Sequence, residues 1–241
     1  KAAQHSLVVE ANKIGLELDR LNKDVESARS RMQWFEERGL LNGVNIAKRY
    51  FPELADKKIL VAPVETNVRL EVLGSLQARS DKLTSLRGRK RQELLVFLLE
   101  ARISGRSEVS RLTLFDTLYL DEDELKASAG LKNLVHSLRE TVGDNAVTTT
   151  NNGYALGECS SDAELFLQTG DTTLWRGSYL EGLALEDSSV RESLYLSLFE
   201  TTKTLLETNP TEAARVASIL VEANPYNIEY LKTYLTAQDL R

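Results

Sequence analysis

The sequence predicts a mainly α fold with small β elements, and three features of its 241 residues carry that expectation. LRGRKRQELLVFLLE (Leu86–Glu100), EVSRLTLFDTLYL and ASAGLKNLVHSLRETVG read as successive helices, the first opening on a basic knot. NAVTTT and YALGE follow, joined by a turn at Asn151-Asn152-Gly153, which is the pattern of a β-hairpin. Helical patterns then lie on both sides of this stretch. Three helices closed by a hairpin form the plan of a winged helix-turn-helix. The expected division is a helical segment at 1–57, the winged helix at 67–158, and a tetratricopeptide-like helical region at 159–241.

Each element has its own signal. From Ser6 to about Leu54 the chain reads as an antiparallel helical pair, with Leu7, Ala11, Ile14, Leu18 and Leu21 on one apolar face. The second helix is expected over Glu26–Arg38, ended by Gly39, with a further break at Asn42-Gly43. Lys57–Thr66 contains Pro63 and reads as a linker or edge strand. Short strands are expected near Val68–Leu73, Leu76–Ala78 and Lys82–Ser85, separated by Gly74 and Ser80-Asp81. Ser110 stands as the N-cap of the second winged-helix element. In the third, Leu131, Leu134, Val135, Leu138 and Val142 recur at spacings of three and four, one buried stripe of a helix. Beyond Glu158 the chain reads as helix through AELFLQTG, LWRGSYLEGLALED and onward. Asn209-Pro210 and Asn224-Pro225 punctuate a helical hairpin over Glu200–Leu240.

Composition removes several classes. No apolar run approaches the ~20 residues a membrane span needs, since charges bound Leu94–Leu99. The chain opens on Lys and no signal-peptide pattern follows, so it reads as a piece of something longer. With one cysteine, Cys159, no internal disulfide can form, and a reducing cytoplasm is the expected setting. The sequence has no Walker A loop, no G-x-G-x-x-G, no G-x-S-x-G and no H-E-x-x-H, so no enzyme is expected. His5 and His136 stand far apart with no ligand spacing around them, and neither metal nor cofactor is expected. The net charge of −6 argues against coating nucleic acid with the whole surface. Thr66–Glu158 balances 13 Lys and Arg against 13 Asp and Glu, yet segregates them. Arg87, Arg89, Lys90 and Arg91 form one pole and Asp121–Glu124 the other. The acidic run lacks the glycine and terminal glutamate of a calcium loop and reads as a solvated turn capping the third helix.

The order of motifs resembles a known family. Gly88–Leu99, the VS-x-x-x-L-x-D-x-L-Y of Val109–Tyr119, the SLR-x-x-x-G of Ser137–Gly143, and Gly153-Tyr154 after a hairpin turn are similar to the OmpR-type winged helix. Leu174–Asp187 (LWRGSYLEGLALED) resembles the start of the bacterial transcriptional activator domain that follows the winged helix in SARP-type regulators. The resemblance covers about Val68 to Arg241 and leaves out the N-terminal helices.

It implies a cytoplasmic transcriptional activator whose partner is promoter double-stranded DNA. The helix at about 128–142 would enter the major groove, and the wing at about 146–157 would lie on the adjacent minor groove or backbone. The C-terminal module would contact RNA polymerase or a second copy of the chain. Ser128, Lys132, His136 and Arg139 share one helix face; Lys132 and Arg139 would reach guanine or phosphate, and Asn133 adenine. Arg87, Arg89, Lys90, Arg91 and Ser110 would hold phosphates, with Thr150 and Asn151 at the wing.

Departures from the family pattern weaken that contact set. Thr150 stands where the family's wing carries Arg, and Asn151-Asn152 where it carries Pro-Pro. H-S-L-R-E replaces S-R-L-R-R, and Asn133 stands where a buried Val is usual. Each missing phosphate contact removes part of the counterion-release term. A winged helix serving as a protein-interaction scaffold is therefore the second reading. A bland reading also exists for each signal: solvated helix termini for the basic knot, core anchors for Trp34, Trp175 and Tyr179, and an isolated linker thiol for Cys159.

Overall fold

The N-terminal region folds as three helices where a pair was expected: α1 (Ala2–Asn22), α2 (Val25–Glu36) and α3 (Leu41–Tyr50). The computed structural model describes residues 2–37, 41–51, 54, 68–79, 83–120, 122–183 and 188–241. The expected linker at Lys57–Thr66 and the stop at Gly39 lie outside these. Two compact units make up the chain, Lys1–Val64 with Ala101–Ser107, and Glu65–Glu100 with Glu108–Arg241.

In the first unit, Asp24 caps α2, its Oδ1 accepting from the Ser27 amide at 3.1 Å. Leu16, Ala28, Met32, Phe35, Val44, Ala47, Phe51 and Leu54 close the core. The expected break at Asn42-Gly43 is absent, because α3 runs through it. Gly43 is there for space: a Cβ would sit 2.3 Å from the Phe35 ring, so only glycine lets α3 cross that ring. The apolar face expected of α1 points the other way. Ile14, Leu18 and Leu21 are 63%, 54% and 65% exposed, while Leu16 and Asp19 face inward. Asp19 earns its place through Arg31, whose Nε donates to it at 2.8 Å. Periodicity detects an apolar stripe, but a partner decides which stripe is covered.

In the second unit, three strands of a four-stranded sheet precede the helices. β1 (Arg69–Glu71), β2 (Gln77–Arg79) and β3 (Leu83–Ser85) pair antiparallel near the expected positions, and the order is β3-β2-β1-β7. β7 (Ser160–Ser161) joins β1 in parallel, a pairing across the whole winged helix that no local pattern announces. Next come α4 (Arg89–Ile103), β4 (Val109–Ser110), α5 (Arg111–Leu118) and α6 (Glu124–Val142). The hairpin β5 (Val147–Thr149) and β6 (Gly153–Leu156) then pairs with β4, in the order β4-β6-β5. This is the winged helix-turn-helix. Gly153 is required where β4 meets the wing, since a Cβ there would fall 1.8 Å from the Val109 carbonyl oxygen.

The C-terminal part contains α7 (Asp162–Thr169), α8 (Ser189–Thr208), α9 (Pro210–Ala223) and α10 (Ile228–Asp239). Asn209 caps α9 through the Glu212 amide with Pro210 in the first turn, and Asn227 caps α10. Ala213, Ala214 and Ala237 are buried where α9 meets α10, so small side chains allow the close approach expected of a helical hairpin. Trp175–Leu183, expected as helix, is irregular instead. Leu180 adopts φ +54 and Gly182 φ +80, and the backbone of the turn that follows β1 captures the segment. The amides of Arg176, Leu180 and Glu181 donate to the carbonyls of Leu73, Val72 and Gly74 at 2.8, 2.9 and 3.0 Å. Trp175 and Tyr179 are buried at its centre, as expected of core anchors.

Arg215 fastens α9 to this segment. It donates to the carbonyls of Trp175 and Thr172 at 2.8 Å each and pairs with Glu212 at 2.6 Å. Arg215 holds the Glu212 carboxyl below the usual glutamate range, and the hydroxyl of Thr172 adds to the effect. A depressed folded-state pKa gives stability that is full above the unfolded value of 4.5 and is lost as pH falls through the folded one. Glu212→Gln is therefore expected to flatten the acid limb of thermal stability below that value. A melting series between pH 7 and about pH 3 checks this, and an unchanged acid limb would remove Glu212 from the account.

Candidate nucleic-acid interface

α6 is built to present one face. Asp123 caps its first turn, accepting from the Lys126 amide at 3.0 Å, which is the capping role expected of the acidic run. Hydrogen bonding to Lys126 holds the Asp123 carboxyl below its usual range. Ala127, Leu131, Val135, Leu138 and Val142 are buried, whereas Leu134 is half-buried. At 100° per residue this leaves Leu125, Ala129, Lys132, Asn133, His136 and Glu140 on the opposite side, all exposed. Asn133 lies on that outer face, not in the core where the family pattern puts its counterpart. Lys132 makes no hydrogen bond or ion pair among the described residues. His136 stands 3.7 Å from Glu140, which dilutes the positive character of the C-terminal half. Ser128 is half-buried at the edge of the face.

The basic knot divides. Arg87 is exposed with no ion pair among the described residues. Arg89 pairs with Glu93 at 2.6 Å on its own helix. Lys90 reaches Glu122 at 3.2 Å and lies 3.9 Å from the centroid of the Tyr119 ring. Burial pushes the Tyr119 phenol above its usual pKa, with the Glu122 charge adding to it. Arg91 donates to Ser137 Oγ at 3.2 Å, tying α4 to α6. Ser110 caps α5 as expected, accepting from the Thr113 amide at 3.1 Å. Its hydroxyl lies 2.8 Å from that of Thr113 and is occupied locally.

Arg139 departs most from its expected role. Its Nε and Nη2 both donate to the Val147 carbonyl, at 2.9 and 2.7 Å, and Nη2 also reaches Thr149 Oγ1 at 2.9 Å. A guanidinium committed to the wing strand is not turned outward to guanine or phosphate. Thr150 is likewise internal: its Oγ1 accepts from the Gly153 amide at 2.9 Å and closes the wing turn. Asn151 is exposed at the tip.

Arg111 was missed from sequence. Its Nη1 donates to the Asn151 carbonyl at 2.9 Å and its Nη2 to the Thr150 carbonyl at 3.3 Å. Its guanidinium lies 5.7 Å from the Tyr154 ring centroid. Only the position of Arg111 beside Ser110, at the strand that pairs with the wing, could have pointed to it.

Among the described residues no group of three or more His, Cys, Asp or Glu side chains is placed to hold a metal ion, and no helix is long and apolar enough to cross a membrane. Cys159 is buried between β6 and β7.

No family model matches the chain, and no curated protein matches it in sequence. In structure it is similar to Mycobacterium tuberculosis EmbR, solved in complex with a low affinity phosphopeptide, with 18% identity and a TM-score of 0.51. The likeness covers 73% of this chain, and the chain spans 55% of that EmbR chain. At that identity the likeness is one of fold, and the mainly helical architecture with small sheets is the fold it shares with EmbR.

Proposed function

We propose that the chain is the DNA-binding part of a transcriptional regulator of the SARP type, with α6 entering the major groove of promoter DNA and the β5–β6 wing on the adjacent backbone. The observation that carries this reading is the outer face of α6. Lys132, Asn133 and His136 stand there exposed, on a helix whose other side is held by the core. A lysine and an amide side by side, with an imidazole one turn on, offer donors and an acceptor to base edges. The likeness in fold to EmbR supports the same reading.

The contact set is smaller than a basic winged helix would bring. Arg89 and Lys90 are matched by Glu93 and Glu122, leaving Arg87 and Lys132 as the expected phosphate and base contacts. Binding is therefore expected to be modest in affinity and shallow in its salt dependence, since log K falls by about 0.9 per tenfold rise in salt for each phosphate neutralised. A salt titration against a labelled duplex from the chain's own promoter, with a scrambled duplex as control, tests this. Lys132→Ala is expected to weaken promoter binding by about 1–3 kcal/mol if it meets a base. Arg87→Ala should weaken both duplexes alike. Equal, feeble binding of the parent to both duplexes would overturn the proposal.

One set of residues favours a protein partner instead. Leu112, Leu120 and Leu125 are 67%, 79% and 85% exposed around α5 and the start of α6, next to Asp116, Glu122 and Glu124. An acidic surface bearing exposed leucines suits a partner that is apolar and basic.

A further inference from the structure

We infer that Arg139 is a positioning residue that fixes the wing on α6, with Arg111 as its counterpart at the wing tip; this role rests on the α6-and-wing reading just given.

The geometry begins at the last turn of α6. Arg139 lies at the border of the buried stripe, half-buried, where its side chain runs towards β5 and not to solvent. Val147 opens the hairpin, and its carbonyl takes two donors from the one guanidinium. Thr149, two residues on and so on the same side of the strand, supplies a third contact through Oγ1. The planar fork thereby reads strand direction as well as position, which a lysine ammonium cannot do.

At the other end, Arg111 closes the turn. Besides its two side-chain bonds to the carbonyls of Thr150 and Asn151, its amide donates to the Asn152 carbonyl at 3.0 Å. The carbonyls of Val147, Thr150 and Asn151 would otherwise point into water, leaving a two-stranded ribbon to swing. Isolated hairpins are marginal in water, and β4 contributes only Val109 and Ser110 to this sheet. Two arginines on two different helices therefore supply the stiffness that strand length does not. The consequence is functional: a wing held at a set angle lets α6 and the hairpin engage one duplex together, without a separate ordering cost on binding.

The experiment follows amide hydrogen exchange by NMR in the DNA-free protein, for the parent, Arg139→Ala, Arg139→Lys and Thr149→Val. In Arg139→Ala the hairpin amides of Val147–Leu156 are expected to exchange on the order of tenfold faster. The Leu131 and Val135 amides of α6 should keep their parental protection, a separation that a general loss of stability would not give. Arg139→Lys is expected to behave like Arg139→Ala, since charge alone does not rebuild the fork. Thr149→Val, an exposed change that leaves both carbonyl bonds, should show a smaller effect in the same amides. Unchanged hairpin exchange in Arg139→Ala overturns the inference, and so does full restoration by Arg139→Lys.

Titration of promoter and scrambled duplexes then separates the two proposals. If the parent prefers the promoter, both Arg139 variants are expected to lose that preference, although Arg139→Lys keeps its charge. If the parent binds neither duplex while Arg139→Ala still frees the hairpin, the brace stands and the DNA reading falls. If Arg139→Lys retains the full promoter preference, the positioning role falls and charge alone was required.

Discussion

Replacing Asp162 with Ala is expected to cost about 3–5 kcal/mol, the largest loss foreseen in the second unit. Asp162 opens α7, its side chain is fully buried, and three donors converge on it. The amides of Val72 and Leu73 donate at 2.8 and 3.2 Å, and Arg176 Nη2 donates at 2.6 Å. Val72 and Leu73 are themselves fully buried, so removing the carboxylate leaves two amides with no water to turn to. Arg176 also approaches Glu71 at 3.7 Å, and Glu71 accepts from Arg79 at 2.9 Å, so the network crosses from β2 through β1 to α7 and the irregular segment. It is the polar counterpart of the backbone bonds that dock Trp175–Leu183 on the turn after β1.

Burial pushes the Asp162 carboxyl above its usual pKa, opposed by the Val72 amide and Arg176. A raised carboxyl pKa means the folded state binds the proton more readily. Stability then falls as pH rises from the usual 3.8 through the folded value, and the Ala variant loses that slope. Urea unfolding of both proteins at pH 7 measures the main effect. A midpoint shift worth less than about 1 kcal/mol would mean the network contributes little, and that apolar contacts hold the module.

Phe35→Ala is expected to destabilise the N-terminal unit by about 3–5 kcal/mol. Phe35 is fully buried, meets Trp34 edge to face with centroids 5.3 Å apart, and fills the space beside Gly43. Truncation would leave a cavity between α2 and α3 that their backbones cannot close without losing the other contacts of Leu16 and Ala47. Trp34 is the one tryptophan of this unit, so its fluorescence in a Trp175→Phe background reads the loss directly. Such a cost approaches the whole stability of a small helical unit, and partial unfolding at ambient temperature is the expected result. A Trp34 transition unmoved in denaturant would show that Phe35 is not the keystone of that core.

Much of the second unit was legible in the sequence because its signals are local. Ser110 caps α5, Asn209 caps α9, and the stripe from Leu131 to Val142 faces the core, each because a cap or a helix face is fixed by residues three or four apart. The hairpin followed from the turn at Asn151–Gly153 for the same reason. Elsewhere the deciding partner lies far along the chain. Trp175–Leu183 carries residues that permit a helix, but the carbonyls of Val72, Leu73 and Gly74 offer its amides a better set of acceptors. On α1 the stripe of Ile14, Leu18 and Leu21 is sound helix periodicity on the wrong side, because Asp19 finds Arg31 and Leu16 finds Phe35's core.

The same division runs through the candidate interface. The sequence by itself determined that α6 exists, where it starts, and that Lys132, Asn133 and His136 share its outer face, since helix geometry alone sets those relations. Only the tertiary structure decided which cations face outward. A long, flexible arginine or lysine takes whichever acceptor lies within reach, and reach is a matter of three-dimensional neighbours, not of spacing along the chain. Lys90 found Glu122, Arg111 found the wing tip, and Arg139 found the Val147 carbonyl, which converts residues of one type from contacts with a ligand into supports for the surface that meets it.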